Sequence, residues 1–326
     1  MNLKDSTKNQ HFVPQVEQRL NAINPIANDE NQRIYAFNLI DRENYKIELS
    51  QSNGIKIIRT LSLNDLFSFD ILEEGSQRYN FESLFQKYES NIKRNTQSLL
   101  GKLPTKDADI KPEILNIFIS KFINFVRNPY SIKKILNSFP ALTKVHPTDP
   151  VHYENFERIL KGRKPQQKHL CEKLEISETD YTEWLSVIFL LLVPLDKENP
   201  NLLEQIIKNI YESRESFIMV MIYTYDEKTC LLSDRGYSIP LPEQDHMAFD
   251  FNLCSNAFIR YVFSNVDAIA PKAASKGLIE SFKSMPKIIN VHNFANDLNA
   301  LEQYNKHVVY QCFKTVFNSS TECYGL

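Results

Sequence analysis

Between positions 81 and 99 apolar side chains recur every three or four residues, at Phe81, Leu84, Phe85, Tyr88, Ile92 and Leu99. That spacing predicts a helix over about 80–100, with Glu82, Gln86 and Lys93 on the opposite side and Glu89 at the border of the two faces. A second helix is predicted over 112–127. It opens with a proline in its first turn and closes at "RNP", where Pro129 pushes Asn128 out of helical geometry. It is apolar nearly all round except for one stripe, Asn116, Ser120, Asn124 and Arg127, so it should run through a core. Further helices are predicted at about 178–193, 201–214, 254–263 and 293–317. The third helix carries "SETD" ahead of it, a capping box with Ser177 as N-cap and Asp180 three residues on.

Elsewhere the period shortens to two. "RIYAFNL" and "YKIEL" read as strands joined by the turn "IDREN". "SFIMVMIYTYDEKTCLLSD" reads as a hairpin turning at Asp226-Glu227-Lys228, and "YSIPL" and "DHMAFDF" as short strands. Helices fill the middle and strands lie toward both ends. We therefore expect an α+β fold, with a predominantly helical middle and a small antiparallel sheet built from N-terminal and C-terminal strands. Residues 1–7 should be disordered and 8–320 a single domain, with an N-terminal strand segment (8–75), a helical part (78–214) and a C-terminal strand and helix part (215–320).

Composition narrows the function classes. The chain has 326 residues and a net charge of −2, so no global field draws it to nucleic acid or an anionic surface. Its seven glycines, at 54, 75, 101, 162, 236, 277 and 325, are never close together. P-loop and dinucleotide fingerprints need several within a few residues, so no nucleotide-cofactor motif is present. The α/β-hydrolase G-x-S-x-G and zincin H-E-x-x-H signatures are absent too. Five cysteines with no C-x-x-C pair suit a reducing cytoplasm. "MNLKDSTKNQ" holds no apolar run, so no signal peptide is expected. The greasiest run, "WLSVIFLLLVPL", is shorter than the roughly 20 residues of a membrane span.

The candidate chemistry begins at "HFVPQ", residues 11–15. Pro14 biases Val13 to an extended conformation, and in an extended segment side chains alternate. His11, Val13 and Gln15 should then point one way and Phe12 the other. A histidine so held is a candidate general base or metal ligand, or else a pin for an N-terminal strand. Ser233 and Asp234 close a predicted strand, where they serve a cleft or cap a turn. Arg127 is placed to meet an anionic ligand or to pair with Glu89. His146, Asp149 and His152 in "HPTDPVH" match no specific metal pattern. Lys161, Arg163, Lys164 and Lys168 form a basic stretch with no interleaved aromatics to stack bases.

The His-Phe-Val-Pro-Gln segment resembles the opening motif of a bacterial family called "domain of unknown function 4238". "RNP" at 127–129, "CLLSDRGYSIPL" at 230–241 and "INVHNFANDLNALEQYNKHVVY" are similar, in order, to that family's later motifs. Glu89 falls where the family carries a glutamate on an early helix. The resemblance spans roughly 8–317. This chain departs from the family with "VEQRL" after Pro-Gln, and with Arg235-Gly236 where the family has Asn-Pro. The resemblance implies a bacterial origin and a shared fold, and no reaction.

Two functions compete. One is a hydrolase-like effector of toxin or phage-defence type, acting on nucleic acid or a nucleotide. It would use His11, Gln15, Glu89, Arg127 and Asp234, with a divalent metal as candidate cofactor and Arg127 steadying a phosphate. The other is a non-enzymatic sensor or protein-interaction module in which the same residues form a structural polar network. Neither calls for a membrane.

Overall fold

The computed structural model describes residues 3–71, 78–105, 107–194, 200–240, 246–271 and 274–326. The N-terminal part holds β1 (Asn9–His11), α1 (Gln15–Arg19), β2 (Arg33–Asp41), β3 (Lys46–Leu49), β4 (Ile55–Lys56), β5 (Ser62–Asn64), β6 (Asp70–Ile71) and β7 (Arg78–Tyr79). A helical middle follows: α2 (Glu82–Lys102), α3 (Lys111–Arg127), α4 (Ile132–Ser138), α5 (Pro150–Lys161), α6 (Gln167–Leu174), α7 (Glu178–Leu192) and α8 (Leu202–Glu212). The C-terminal part holds β8 (Ser216–Thr224), β9 (Leu232–Ser233), β10 (His246–Cys254), β11 (Ala257–Asn265), α9 (Val266–Ile269), α10 (Lys276–Ser284), β12 (Ile289–Ala295), α11 (Leu298–Gln311) and β13 (Thr315–Asn318). The fold is α+β with a helical middle.

The chain divides into two compact units interleaved in sequence. Unit 1 is Met1–Pro14, Arg59–Ile92 and Phe118–Gln205; unit 2 is Gln15–Ile58, Lys93–Ile117 and Ile206–Leu326. The expected disorder of 1–7 does not extend over its described residues, 3–7. Leu3 is buried, Lys4 bridges Tyr79, and the Asp5 N–H donates to the Arg78 carbonyl at 3.0 Å. Residues 72–75 of the expected strand segment lie outside the described residues.

Unit 1 is organised by α7. The capping box forms as the spacing predicts: Ser177 accepts from the Asp180 N–H, and Asp180 accepts from that of Ser177. Its apolar run is buried on all sides, and no described helix is long and apolar enough to cross a membrane. Trp184 donates to the Val126 carbonyl at 2.9 Å and Tyr181 to that of Leu66 at 2.7 Å, so both large rings bury without stranding a donor. Phe67, Phe81 and Phe85 pack with them in the core.

Unit 2 carries two sheets. One has the order β10-β11-β8-β12, with β12 parallel to β8 and the other pairs antiparallel. The other runs β3-β2-β13-β9, with β4 also on β2, and so joins N-terminal to C-terminal strands. Tyr304 of α11 stacks on Phe258 of β11 at 4.1 Å in their shared core.

Three sequence expectations fail here. Residues 254–263 form no helix, because most of them lie in β11, paired on both sides with strands. An apolar run buried on two faces imitates helical spacing. The expected hairpin of 216–234 is absent: β9 pairs with β13, and β8 with β11 and β12. The intervening backbone goes to other partners, Cys230 N–H to Ser255 and Leu231 N–H to the Asn305 side chain. The expected helix at 293–317 begins only at Leu298, behind an Asp297 cap, and β13 follows it. Of "YSIPL", Ser238 makes a single bridge to Asp250, and Leu241 lies outside the described residues.

Candidate functional site

The N-terminal motif divides at Pro14. β1 pairs antiparallel with β5, His11 opposite Ser62. Beyond it the expected alternation stops: Phe12 and Val13 are both buried, and Gln15 opens α1. Proline just ahead of a helix loses no ladder hydrogen bond, so the chain turns helical instead of staying extended. The strand is pinned by Gln10, which is fully buried. Its side-chain Oε1 accepts from the Phe67 N–H at 2.5 Å, and its Nε2 donates to Ser68 Oγ at 3.2 Å. Phe12 packs edge-on against Tyr130 at 5.3 Å, just past the end of α3. His11 Nε2 is buried.

Of the five residues singled out in the sequence, Glu89 and Arg127 come into direct contact, at 2.5 Å between Oε1 and Nη1. Arg127 closes the polar stripe of α3. Asn116 in that stripe is exposed, whereas Ser120, Asn124 and Arg127 are buried. The Arg127 side chain is 1% exposed and its guanidinium lies over the Phe85 ring at 4.8 Å. Its Nε and Nη2 are sealed from solvent and make no hydrogen bond among the described residues.

The spacing that brings Phe85 and Glu89 to Arg127 also brings Glu82. Positions 82, 85 and 89 are three and seven residues apart, one stripe along α2. Sequence periodicity assigns Glu82 to the polar side. In the fold its Oε1 is sealed, with no hydrogen-bond partner among the described residues. Burial is the main force raising its carboxyl from the usual 4.5 to about 7. Arg127 opposes the rise, and the negative charges of Glu89 and Asp5 add to it. Its seven-residue interval from Glu89 is the signal in the sequence that points to it.

Gln15 and Asp234 belong to unit 2 and accept hydrogen bonds there. Gln15 Oε1 accepts from Arg19 at 2.7 Å. Asp234 is buried and accepts three backbone N–H groups at the start of β13: Phe313 at 2.7 Å, Lys314 at 2.7 Å and Thr315 at 3.0 Å. Burial raises its carboxyl and those bonds pull it back only in part. Gly236, at φ +75°, donates to the Ser233 carbonyl and completes the turn in a conformation suited to glycine. The Ser-Asp segment is thus a strand anchor.

The weaker candidates resolve into local structure. Asp149 is the N-cap of α5, accepting from the His152 N–H at 2.9 Å, and the His146 ring meets Tyr153 edge-on. Among the described residues no cluster of three or more His, Cys, Asp or Glu is placed to hold a metal ion. Asp226 exchanges hydrogen bonds with Asn296. Lys161 pairs with Glu157, and Lys164 donates to the Gly162 carbonyl. A second buried ion pair escaped the sequence reading: Arg260 on β11 clamps Asp250 on β10 through two bonds of 2.7 and 2.8 Å. These two residues face each other across the strand pair, which only the register reveals.

Comparison with family models, with curated proteins and with solved structures gives no match for this chain. The family resemblance drawn from the ordered motifs rests on those motifs alone.

Proposed function

We propose that the Glu82–Glu89–Arg127 centre of unit 1 is the working site of a hydrolase-like effector acting on nucleic acid or a nucleotide. Arg127 carries the reading: it is buried, one nitrogen is spent on Glu89, and the Nε and Nη2 donors make no hydrogen bond among the described residues. Those two N–H groups form the side of a guanidinium that matches two oxygens of a phosphate. Sealing them unbonded costs on the order of 1–3 kcal/mol each, which a bound phosphate group offsets. Glu82, near 7, is partly protonated at neutral pH. Its protonated form avoids a like-charge clash with an arriving phosphate, and its ionised form takes a proton from the attacking water. The water oxygen bonds to phosphorus, the ester P–O bond breaks, and the leaving oxygen takes up a proton. His11 is assigned that donor role on the strength of its buried ring nitrogen and of Phe12's seat beside the end of α3. The reading keeps the protein in a reducing bacterial cytoplasm, in keeping with five free thiols.

A second reading, a sensor or interaction module held by a structural polar network, is favoured by Asp234, whose carboxylate is spent on backbone. The purified chain, incubated with RNA, DNA and nucleoside triphosphates, separates the two. The effector reading expects hydrolysis that falls at least about a hundredfold in Glu82→Gln and Arg127→Lys, with growth arrest on induction lost in the same variants. If wild type and both variants are indistinguishable in hydrolysis, in growth and in thermal shift with added phosphate, the structural reading replaces it.

A further inference from the structure

We infer that β12 is completed by β12 of a second copy of this chain, paired antiparallel across a twofold axis. The inference stands apart from the chemistry proposed for unit 1. The four-stranded sheet of unit 2 ends on β10 at one side and on β12 at the other. The β10 edge is protected. Its register breaks between Asn252 and Cys254, and Ser238 bridges to Asp250. Bulges and covering segments are how sheets keep an edge from pairing.

β12 has no such protection. Its seven residues, Ile289–Ala295, keep an unbroken parallel register with β8. They include no Asp, Glu, Lys, Arg or Pro. Among the described residues the strand pairs with β8 alone. A regular, uncharged edge of this length is a template for one more strand.

The side chains at its ends say which strand. Met285 and Ile288 stand 58% and 64% exposed just before β12, and Phe294 and Leu298 are 37% and 41% exposed at and beyond its end. In an antiparallel self-pair centred on His292, Asn290 lies opposite Phe294 and Ile288 opposite Asn296. Ile288 of one strand then lies diagonal to Phe294 of the other, a spacing that an aromatic side chain spans, and the twofold axis repeats the contact. A foreign strand must bring its own match to both ends, whereas a second copy already has them. An uncharged strand also sets no like charges against itself. Phe294 is already held in place, stacked on Tyr223 at 5.0 Å with His292 tilted beside it at 6.3 Å, which lowers the ordering cost of association.

Sedimentation and light scattering on the full chain test this, at up to about 100 μM, where a specific dimer is populated. The expected mass is twice the 38.0 kDa of one chain. His292→Glu sets two carboxylates together at the axis and should raise the dissociation constant at least about tenfold. Circular dichroism matching wild type at the lowest concentration shows that this exposed-edge variant is folded. His292→Cys meets its own copy at the axis and should give an interchain disulfide that wild type does not form. A wild-type monomer at the highest concentration overturns the inference. So does a dimer indifferent to His292→Glu, or an open series of higher oligomers.

Discussion

Glu82→Gln offers the sharpest check on the centre in unit 1, because its effect on stability should depend on pH. The folded-state carboxyl sits at about 7 against an ordinary 4.5. A raised folded pKa means that the native state prefers the protonated form. The stability this supplies is therefore fully present below about pH 4.5 and is lost as pH rises through about 7. At roughly 1.4 kcal/mol per pKa unit, the difference is about 3 kcal/mol between the two limits. A glutamine is neutral throughout and keeps the shape, so it avoids that loss. Near pH 5 the variant should unfold with nearly the wild-type free energy. At pH 8 it should be more stable by about 2–3 kcal/mol, a urea-midpoint shift of roughly 1 M. Urea unfolding of both proteins at the two pH values reads this directly. A gap that is the same at both values refutes the buried-acid argument. In that case the proposal loses its acid–base group even though the Arg127–Glu89 pair remains. A gap seen only at pH 8, together with lost hydrolysis, would show a group that costs stability and supplies chemistry.

Two further outcomes follow from the packing. Asp234→Ala leaves three backbone N–H groups at the start of β13 without their carboxylate, so it should lower stability by about 3–5 kcal/mol, with Asp234→Asn milder because one acceptor oxygen remains; thermal unfolding measures both. Burial pushes the Cys171 and Cys323 thiols up to about 11 and Cys312 to about 12, and raises Cys230 as well. At pH 8 these four should react with a disulfide reagent far more slowly in the folded than in the urea-unfolded chain, and equal rates would contradict their burial.

Local signals served best at helix caps and stops. The Ser177–Asp180 capping box depends on atoms within four residues, and so does the stop at Pro129. Both form as the sequence spacing predicts. The N-terminal motif is legible only in part. Phe12 as an anchor follows from its apolarity, but buried Gln10 is a polar side chain whose partners, Phe67 and Ser68, lie more than fifty residues away. The helix expected over 254–263 is instead largely β11, because period two and period 3.6 converge in an apolar run buried on both faces.

The sequence by itself determined the α+β class, the long helices with their caps and stops, the burial of the 184–195 run up to Val193, and Arg127 and Glu89 as a candidate pair. Those properties follow from side-chain spacing and backbone stereochemistry over a few residues. Only the tertiary structure decided that Asp234 holds β13, that Arg260 clamps Asp250, and that β12 ends a sheet with its outer edge unpaired among the described residues. It also decided that Glu82, on the side of α2 read as polar, sits near neutrality. Each of these depends on which distant groups displace water from a side chain, and a carboxylate's charge, partner and pKa are set by that displacement and not by its neighbours in the chain.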